Sequence, residues 1–161
     1  MREELLKKIQ NKEIKAGIIG LGYVGLPLAV EIAKSGFCTV GFDIVPEKVE
    51  KINKGENYIS DVSDADLKML VENKRLRATN DFEFISDMDF IAVCVPTPLD
   101  LHQQPDITYI KNSVEQVGEY LKAGTMVVLE STTYPGTTRE VVKPVLEKKS
   151  NMVCERDFYL A

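Results

Sequence analysis

A chain of 161 residues with 44% apolar and 28% charged side chains has the length and balance of one globular domain. Its formal net charge of −5, with no dense local stretch of Lys or Arg, argues against a nucleic-acid partner. No run reaches the roughly 18 apolar residues that a membrane-spanning helix needs, and the charged first ten residues hold no signal-peptide core.

Short apolar runs alternate with longer amphipathic ones, the rhythm of a parallel sheet covered by helices. Residues 1–10 read as a lead-in helix, with Leu5 and Ile9 one turn apart. Residues 14–19 form the first expected strand and 23–35 the first core helix, ended by Gly36. Cys38–Phe42 is the second strand, and Pro46 suits the first turn of a helix running to about Asn53. A loop over 55–62 precedes a helix over 63–73 and a short strand at Leu76–Thr79. The uninterrupted apolar run 90–95 fits a strand covered on both faces. A polar loop over 96–104 follows, and Asp106 can cap a helix over 107–121. Residues 125–129 read as another strand. Thr137 and Glu140 have the spacing of a capping box that opens a helix to about Lys149, and 158–161 read as a strand beginning. The fold class expected is α/β: a Rossmann-type, doubly wound, mostly parallel sheet with helices on both faces.

Gly20-Leu21-Gly22-Tyr23-Val24-Gly25 matches GxGxxG, a weak signal alone. Its position, directly after a strand and opening a helix, is where dinucleotide binding needs it. Gly20 permits the tight turn, Gly22 lets backbone approach a pyrophosphate, and Gly25 lets helix and strand pack closely. Free N–H groups at the helix start, with the positive end of its dipole, attract the phosphates. Asp43 closes the second strand, eighteen residues after Gly25, where a carboxylate accepts hydrogen bonds from the adenosine ribose. It repels the extra phosphate of NADP, and Ile44, Val45 and Pro46 offer no compensating cation. NAD is the expected cofactor, with Lys48 placed to assist. A bland alternative for Asp43 is a turn residue before Pro46.

Two further segments lie at the carboxyl ends of expected strands, the edge where parallel sheets bind ligands. One is Val95-Pro96-Thr97-Pro98-Leu99-Asp100; the other is Glu130-Ser131-Thr132-Thr133-Tyr134-Pro135-Gly136-Thr137-Thr138. With Gly20 to Pro27 and the tail Asp157-Phe158-Tyr159-Leu160-Ala161, they resemble the UDP-glucose/GDP-mannose dehydrogenase family. Within it, the wording is nearest the branch that oxidises UDP-N-acetylglucosamine at C6. The resemblance runs through nearly all of the chain after residue 14. It implies an NAD-dependent oxidoreductase of polysaccharide biosynthesis that takes the C6 alcohol of a UDP-sugar to a carboxylate with two NAD. By the same resemblance, Gly20 to Gly25 bind the pyrophosphate and Val95 to Leu99 line the ribose and nicotinamide side. Ser131, Thr132 and Thr133 lie near the nicotinamide, Thr132 matching a family threonine that orients an active-site water. Read from the residues alone, Pro96-Thr97-Pro98 is equally a stiff loop and Thr132 a strand-end hydroxyl.

The family's second oxidation runs through a covalent intermediate on an activated cysteine. That cysteine and its supporting residues lie downstream of the segment matched here. The resemblance therefore implies that residues 1–161 are one NAD-binding domain, truncated before the central helix and catalytic domain of a homo-oligomeric enzyme. Alone, it is expected to be inactive. Cys38, Cys94 and Cys154 are odd in number, far apart and in no matched motif; they read as incidental thiols of a reduced, cytoplasmic protein without a metal site. His102 reads as a solvated loop residue. Two other functions share a glycine turn: an NAD-sensing regulatory module of the potassium-transport type, and an S-adenosylmethionine methyltransferase. The regulatory module gives no reason for Pro96 to Pro98 or Ser131 to Gly136, and calorimetry against NAD and S-adenosylmethionine separates the methyltransferase.

Overall fold

The computed structural model describes residues 2–99, 103 and 105–161. A lead-in helix α1 (Arg2–Gln10) precedes β1 (Lys15–Ile19), α2 (Gly25–Lys34), β2 (Cys38–Phe42), α3 (Pro46–Asn53) and α4 (Asp64–Glu72). Then come β3 (Leu76–Thr79), β4 (Phe90–Val93), α5 (Thr108–Tyr120), β5 (Met126–Leu129), α6 (Lys143–Ser150) and β6 (Tyr159–Leu160). The six strands lie in the order β3-β2-β1-β4-β5-β6, every pair parallel. That order is the doubly wound dinucleotide-binding arrangement, with its reversal between β1 and β4.

Strand alternation explains the two layers. Ile91 and Val93 face a core closed by Ile110, Val114 and Val117 of α5 and Leu146 of α6. Ala92 and Cys94 face the opposite core, built from Leu26, Ala29 and Val30 of α2 with Leu67 and Leu70 of α4. Ile18 and Ile19 divide in the same way. Both faces of β4 are covered, so it reads as an unbroken apolar run, whereas the edge strand β3 leaves Arg77 exposed. No helix among the described residues is long and apolar enough to cross a membrane.

The edges of several elements differ from expectation for identifiable reasons. Ser63 lies just outside α4 as its cap, its hydroxyl accepting from the Asp66 N–H at 3.3 Å. Asp106 accepts from the Thr108 N–H at 2.9 Å, and the helix starts at Thr108 rather than at 107. The capping box at Thr137 and Glu140 does not form. Thr137 is buried and its hydroxyl donates to the Tyr134 carbonyl, so the chain enters α6 through a turn of π-helix at Thr138–Val142. A 3-10 helix at Phe82–Asp87, unassigned from sequence, is capped by the Asp81 carboxylate accepting from the Glu83 N–H.

Asp89 ties the sheet's far end together. It is buried, accepts the Lys15 N–H at 3.0 Å, and meets the ammonium groups of Lys8 at 3.2 Å and Lys122 at 3.3 Å. Burial alone raises its carboxyl, but the Lys15 bond and the two lysines outweigh that and hold it below the ordinary range. A carboxylate with a depressed folded pKa contributes stability above its unfolded pKa of about 3.9, lost as pH falls through the folded value. Asp89→Asn is therefore expected to lower unfolding stability by about 1–3 kcal/mol at neutral pH. Urea melts of both proteins across the acid range should show that deficit closing below about pH 4; a deficit constant down to about pH 2 would rule out the charge as its source.

Candidate cofactor site

The carboxyl ends of β1, β2, β4 and β5 open onto a cleft of about 920 Å³. Its floor is the turn from β1 into α2. Gly20 sits at φ +90°, which a side chain rarely tolerates, and a Cβ there would lie 2.8 Å from the Cys94 carbonyl oxygen. A Cβ on Gly25 would lie 1.8 Å from the Gly20 carbonyl oxygen, so the helix enters against the strand only because that atom is missing. Gly22 is different: an added Cβ would meet nothing within 4 Å, and the residue lines the cleft. The protein itself does not require glycine there, which is the signature of a backbone surface kept bare for a ligand.

Helix α2 also begins without protection. Val24 occupies its cap position with no side-chain hydrogen bond, and no acidic residue stands in the first turn. By contrast, α4 has Ser63 as cap and Asp64 and Asp66 in its first turn. The N–H groups of Gly22, Tyr23 and Val24 have no acceptor among the described residues. Unpaired donors at the positive end of a helix dipole suit a diphosphate.

At the end of β2, Asp43 is 7% exposed and more heavily engaged than its sequence position suggests. Oδ2 accepts the Leu21 N–H at 2.9 Å and lies 3.3 Å from the Lys48 ammonium; Oδ1 accepts the Val45 N–H at 3.0 Å. The carboxylate thus braces the glycine turn while still lining the cleft. Oδ1, with one bond made, keeps a lone pair for a ligand hydroxyl.

The other two segments are stitched to each other by hydroxyls. Ser131 donates to the Val95 carbonyl at 2.7 Å, and Thr97 donates to the Thr132 carbonyl at 2.6 Å. Thr133 shares a 3.0 Å bond with Thr137. Of the three neighbouring hydroxyls, only that of Thr132 makes no hydrogen bond among the described residues, and the residue lines the cleft wall. Cys94 lies beneath, its thiol pushed up to about 12 by burial and by the charge of Glu130, so it stays protonated at neutral pH.

Of the residues singled out from sequence, Gly20, Gly22, Tyr23, Val24, Asp43, Lys48, Val95, Pro96, Thr97, Ser131 and Thr132 line this one cleft. The others do not. Leu21 points into the core, Gly25 packs on Gly20, and Thr133 turns to Thr137. Pro98 and Leu99 belong to a loop that closes on itself through a Leu99–Pro105 bridge and the Asp106 N–H to Pro98 carbonyl bond. Asp100 and His102 lie outside the described residues. Sequence reasoning missed the far wall, where Tyr109, Asn112, Ser113 and Gln116 form one face of α5, and it missed Asn80 and Phe82. The α5 residues were legible as a polar stripe with i, i+3, i+4, i+7 spacing; Phe82 was hidden in an unassigned connection.

Residues 14–161 match the NAD binding domain of the UDP-glucose/GDP-mannose dehydrogenase family. The chain is similar to UDP-N-acetyl-D-glucosamine 6-dehydrogenase of Salmonella typhi, 40% identical over 148 residues, which are 92% of this chain and 34% of that protein. It is 35% identical over 149 residues to UDP-N-acetyl-D-mannosamine dehydrogenase of Pyrococcus horikoshii, covering 92% of this chain and 35% of the relative. Among solved structures, NDP-N-acetyl-D-galactosaminuronic acid dehydrogenase of Methanosarcina mazei superposes with a TM-score of 0.87 at 34% identity, over 98% of this chain and 35% of the other. The chain thus spans about a third of the length of these relatives.

Proposed function

Because this chain belongs to the UDP-glucose/GDP-mannose dehydrogenase family as its NAD-binding domain, we propose that it holds NAD for the oxidation of a UDP-sugar at C6. The observation that carries the placement is the bare Gly22 backbone beside the uncapped start of α2, in the same cleft as Asp43 and Thr132. The pyrophosphate lies on the Gly20–Gly25 turn, where N–H groups lacking acceptors compensate its charge. Asp43 takes the adenosine ribose through its remaining lone pair, and its charge disfavours a 2′-phosphate. At the other end, Val95, Pro96 and Thr97 with Ser131 and Thr132 border the nicotinamide. Thr132, with its uncommitted hydroxyl, orients a water or the substrate hydroxyl. NAD when bound supplies the hydride acceptor. The regulatory-module alternative is not supported: the family match runs through Pro96 to Pro98 and Ser131 to Gly136, which a sensing module leaves without a purpose.

The substrate proposed first is UDP-N-acetylglucosamine, supported by the 40% identical relative. The enzyme's setting is proposed to be cytoplasmic polysaccharide biosynthesis, in a homo-oligomer. Residues 1–161 are proposed to be the cofactor part only. Covalent oxidation needs an activated thiolate, whereas Cys94 is buried and strongly protonated, and burial raises Cys154 as well. Calorimetry of the 161-residue chain should give saturable NAD binding, and incubation with NAD and UDP-N-acetylglucosamine should give no NADH absorbance above background. Absence of NAD binding would sink the assignment of the cleft; sustained NADH formation would show that the chemistry resides in this chain after all.

A further inference from the structure

The peptide between Leu21 and Gly22 is gripped from the side opposite the cleft. The Tyr58 hydroxyl, carried on the loop after α3, donates to the Leu21 carbonyl at 2.6 Å across 37 residues of sequence. The Leu21 N–H is held by Asp43 at 2.9 Å. Both polar groups of one buried residue are therefore fixed by side chains from two other segments. Tyr58 itself does not line the cleft.

A trans peptide is planar, so its carbonyl and its N–H point in opposite directions. Holding the Leu21 carbonyl on the Tyr58 side turns the Gly22 N–H away from it. That N–H has no protein acceptor among the described residues, and Gly22 lines the cleft. Glycine has the freedom to let this peptide rotate. A half-turn would present a carbonyl oxygen, carrying partial negative charge, where the proposed reading places a pyrophosphate. An apolar residue at position 58 would remove the one hydrogen bond that the Leu21 carbonyl accepts among the described residues.

We infer that Tyr58 is a positioning residue for the dinucleotide pyrophosphate: its hydroxyl locks the Leu21–Gly22 peptide with the Gly22 N–H facing the ligand. Burial, and secondarily the charge of Asp43, raises the phenol well above its ordinary range, so it remains a donor throughout the working pH range. The inference rests on the proposed placement of the pyrophosphate at the glycine turn.

The test compares wild type and Tyr58→Phe, which removes one oxygen atom and keeps the ring. NAD and ADP-ribose are titrated by calorimetry, and adenosine by chemical-shift perturbation. The Kd for NAD and for ADP-ribose should rise about three- to tenfold, the effect of one hydrogen bond, while adenosine changes less than about twofold. The Gly22 amide signal, followed in ¹⁵N spectra, should shift sharply when inorganic pyrophosphate is added to wild type. In the variant it should be broadened or displaced before any addition. Unchanged NAD affinity in Tyr58→Phe, or adenosine weakened in proportion to NAD, overturns the inference. A wild-type Gly22 amide that ignores pyrophosphate instead overturns the placement on which it rests. Should Tyr58→Phe fold poorly, Tyr58→His retains a ring donor. Recovery of NAD binding in that variant without recovery of melting temperature supports the inference, and no recovery of binding overturns it.

Discussion

Gly22→Ala and Gly25→Ala, two substitutions three residues apart, are expected to fail in opposite ways. At Gly25 the added methyl would have to occupy a point 1.8 Å from the Gly20 carbonyl oxygen, a backbone atom that cannot swing aside. In an ordinary helix, glycine to alanine stabilises by about 0.5–1 kcal/mol. Here the sign reverses: the helix must back away from β1, at about 3 kcal/mol of lost stability, and the donors at its start move with it. At Gly22 the methyl meets no protein atom within 4 Å, and the residue is not among those with positive φ. Urea unfolding of Gly22→Ala without ligand should therefore match wild type within about 0.5 kcal/mol. Its NAD affinity should nevertheless fall about ten- to a hundredfold, because the methyl stands where the pyrophosphate approaches the backbone. Measuring both quantities on both variants separates packing from binding. A Gly22→Ala protein that binds NAD like wild type would show that the diphosphate does not touch that backbone.

The same contrast explains what the sequence made legible. Elements with strong periodicity and ordinary punctuation were readable: apolar runs in the strands, the three glycines at a strand-to-helix junction, and Asp43 at the end of β2. These follow from local rules, and the sheet order follows from linking them with right-handed crossovers. The losses came where tertiary contacts decided the outcome. Thr137 and Glu140 have capping-box spacing, yet the Thr137 hydroxyl is engaged by the Thr133 hydroxyl and the Tyr134 backbone carbonyl, and the box never closes. Thr97, Ser131 and Thr132 are all hydroxyl residues in matched motifs that line the cleft, and nothing in their order reveals that the first two hydroxyls bind backbone carbonyls while the third makes no hydrogen bond among the described residues. Tyr58 carries no sequence signal at all, since its bond to the Leu21 carbonyl depends on a loop folding back across 37 residues. Site membership was thus readable where it rests on backbone geometry and unreadable where it rests on which hydroxyl finds which carbonyl.

Asp43 combines both kinds of role, and Asp43→Asn should expose them separately. In the folded chain the carboxylate accepts two backbone N–H groups, from Leu21 and Val45, and faces the Lys48 ammonium. An asparagine offers one carbonyl oxygen and one NH₂ group, so in either orientation one of those N–H donors meets another donor. A donor left unpaired there should lower stability by about 1–3 kcal/mol in the absence of any ligand. Loosening of the glycine turn should then weaken NAD and NADP alike, because both share the pyrophosphate. Loss of the charge acts on only one comparison: it removes the repulsion of the 2′-phosphate and a strong acceptor for the ribose hydroxyls. The ratio of NADP to NAD dissociation constants should therefore fall about tenfold, equivalent to about 1.4 kcal/mol of discrimination, on top of the shared loss. Titrating both dinucleotides into wild type and variant at fixed ionic strength isolates that ratio from the common term. If both affinities drop by one factor, Asp43 serves only to brace Leu21 and Val45, and cofactor choice must be made elsewhere in the cleft.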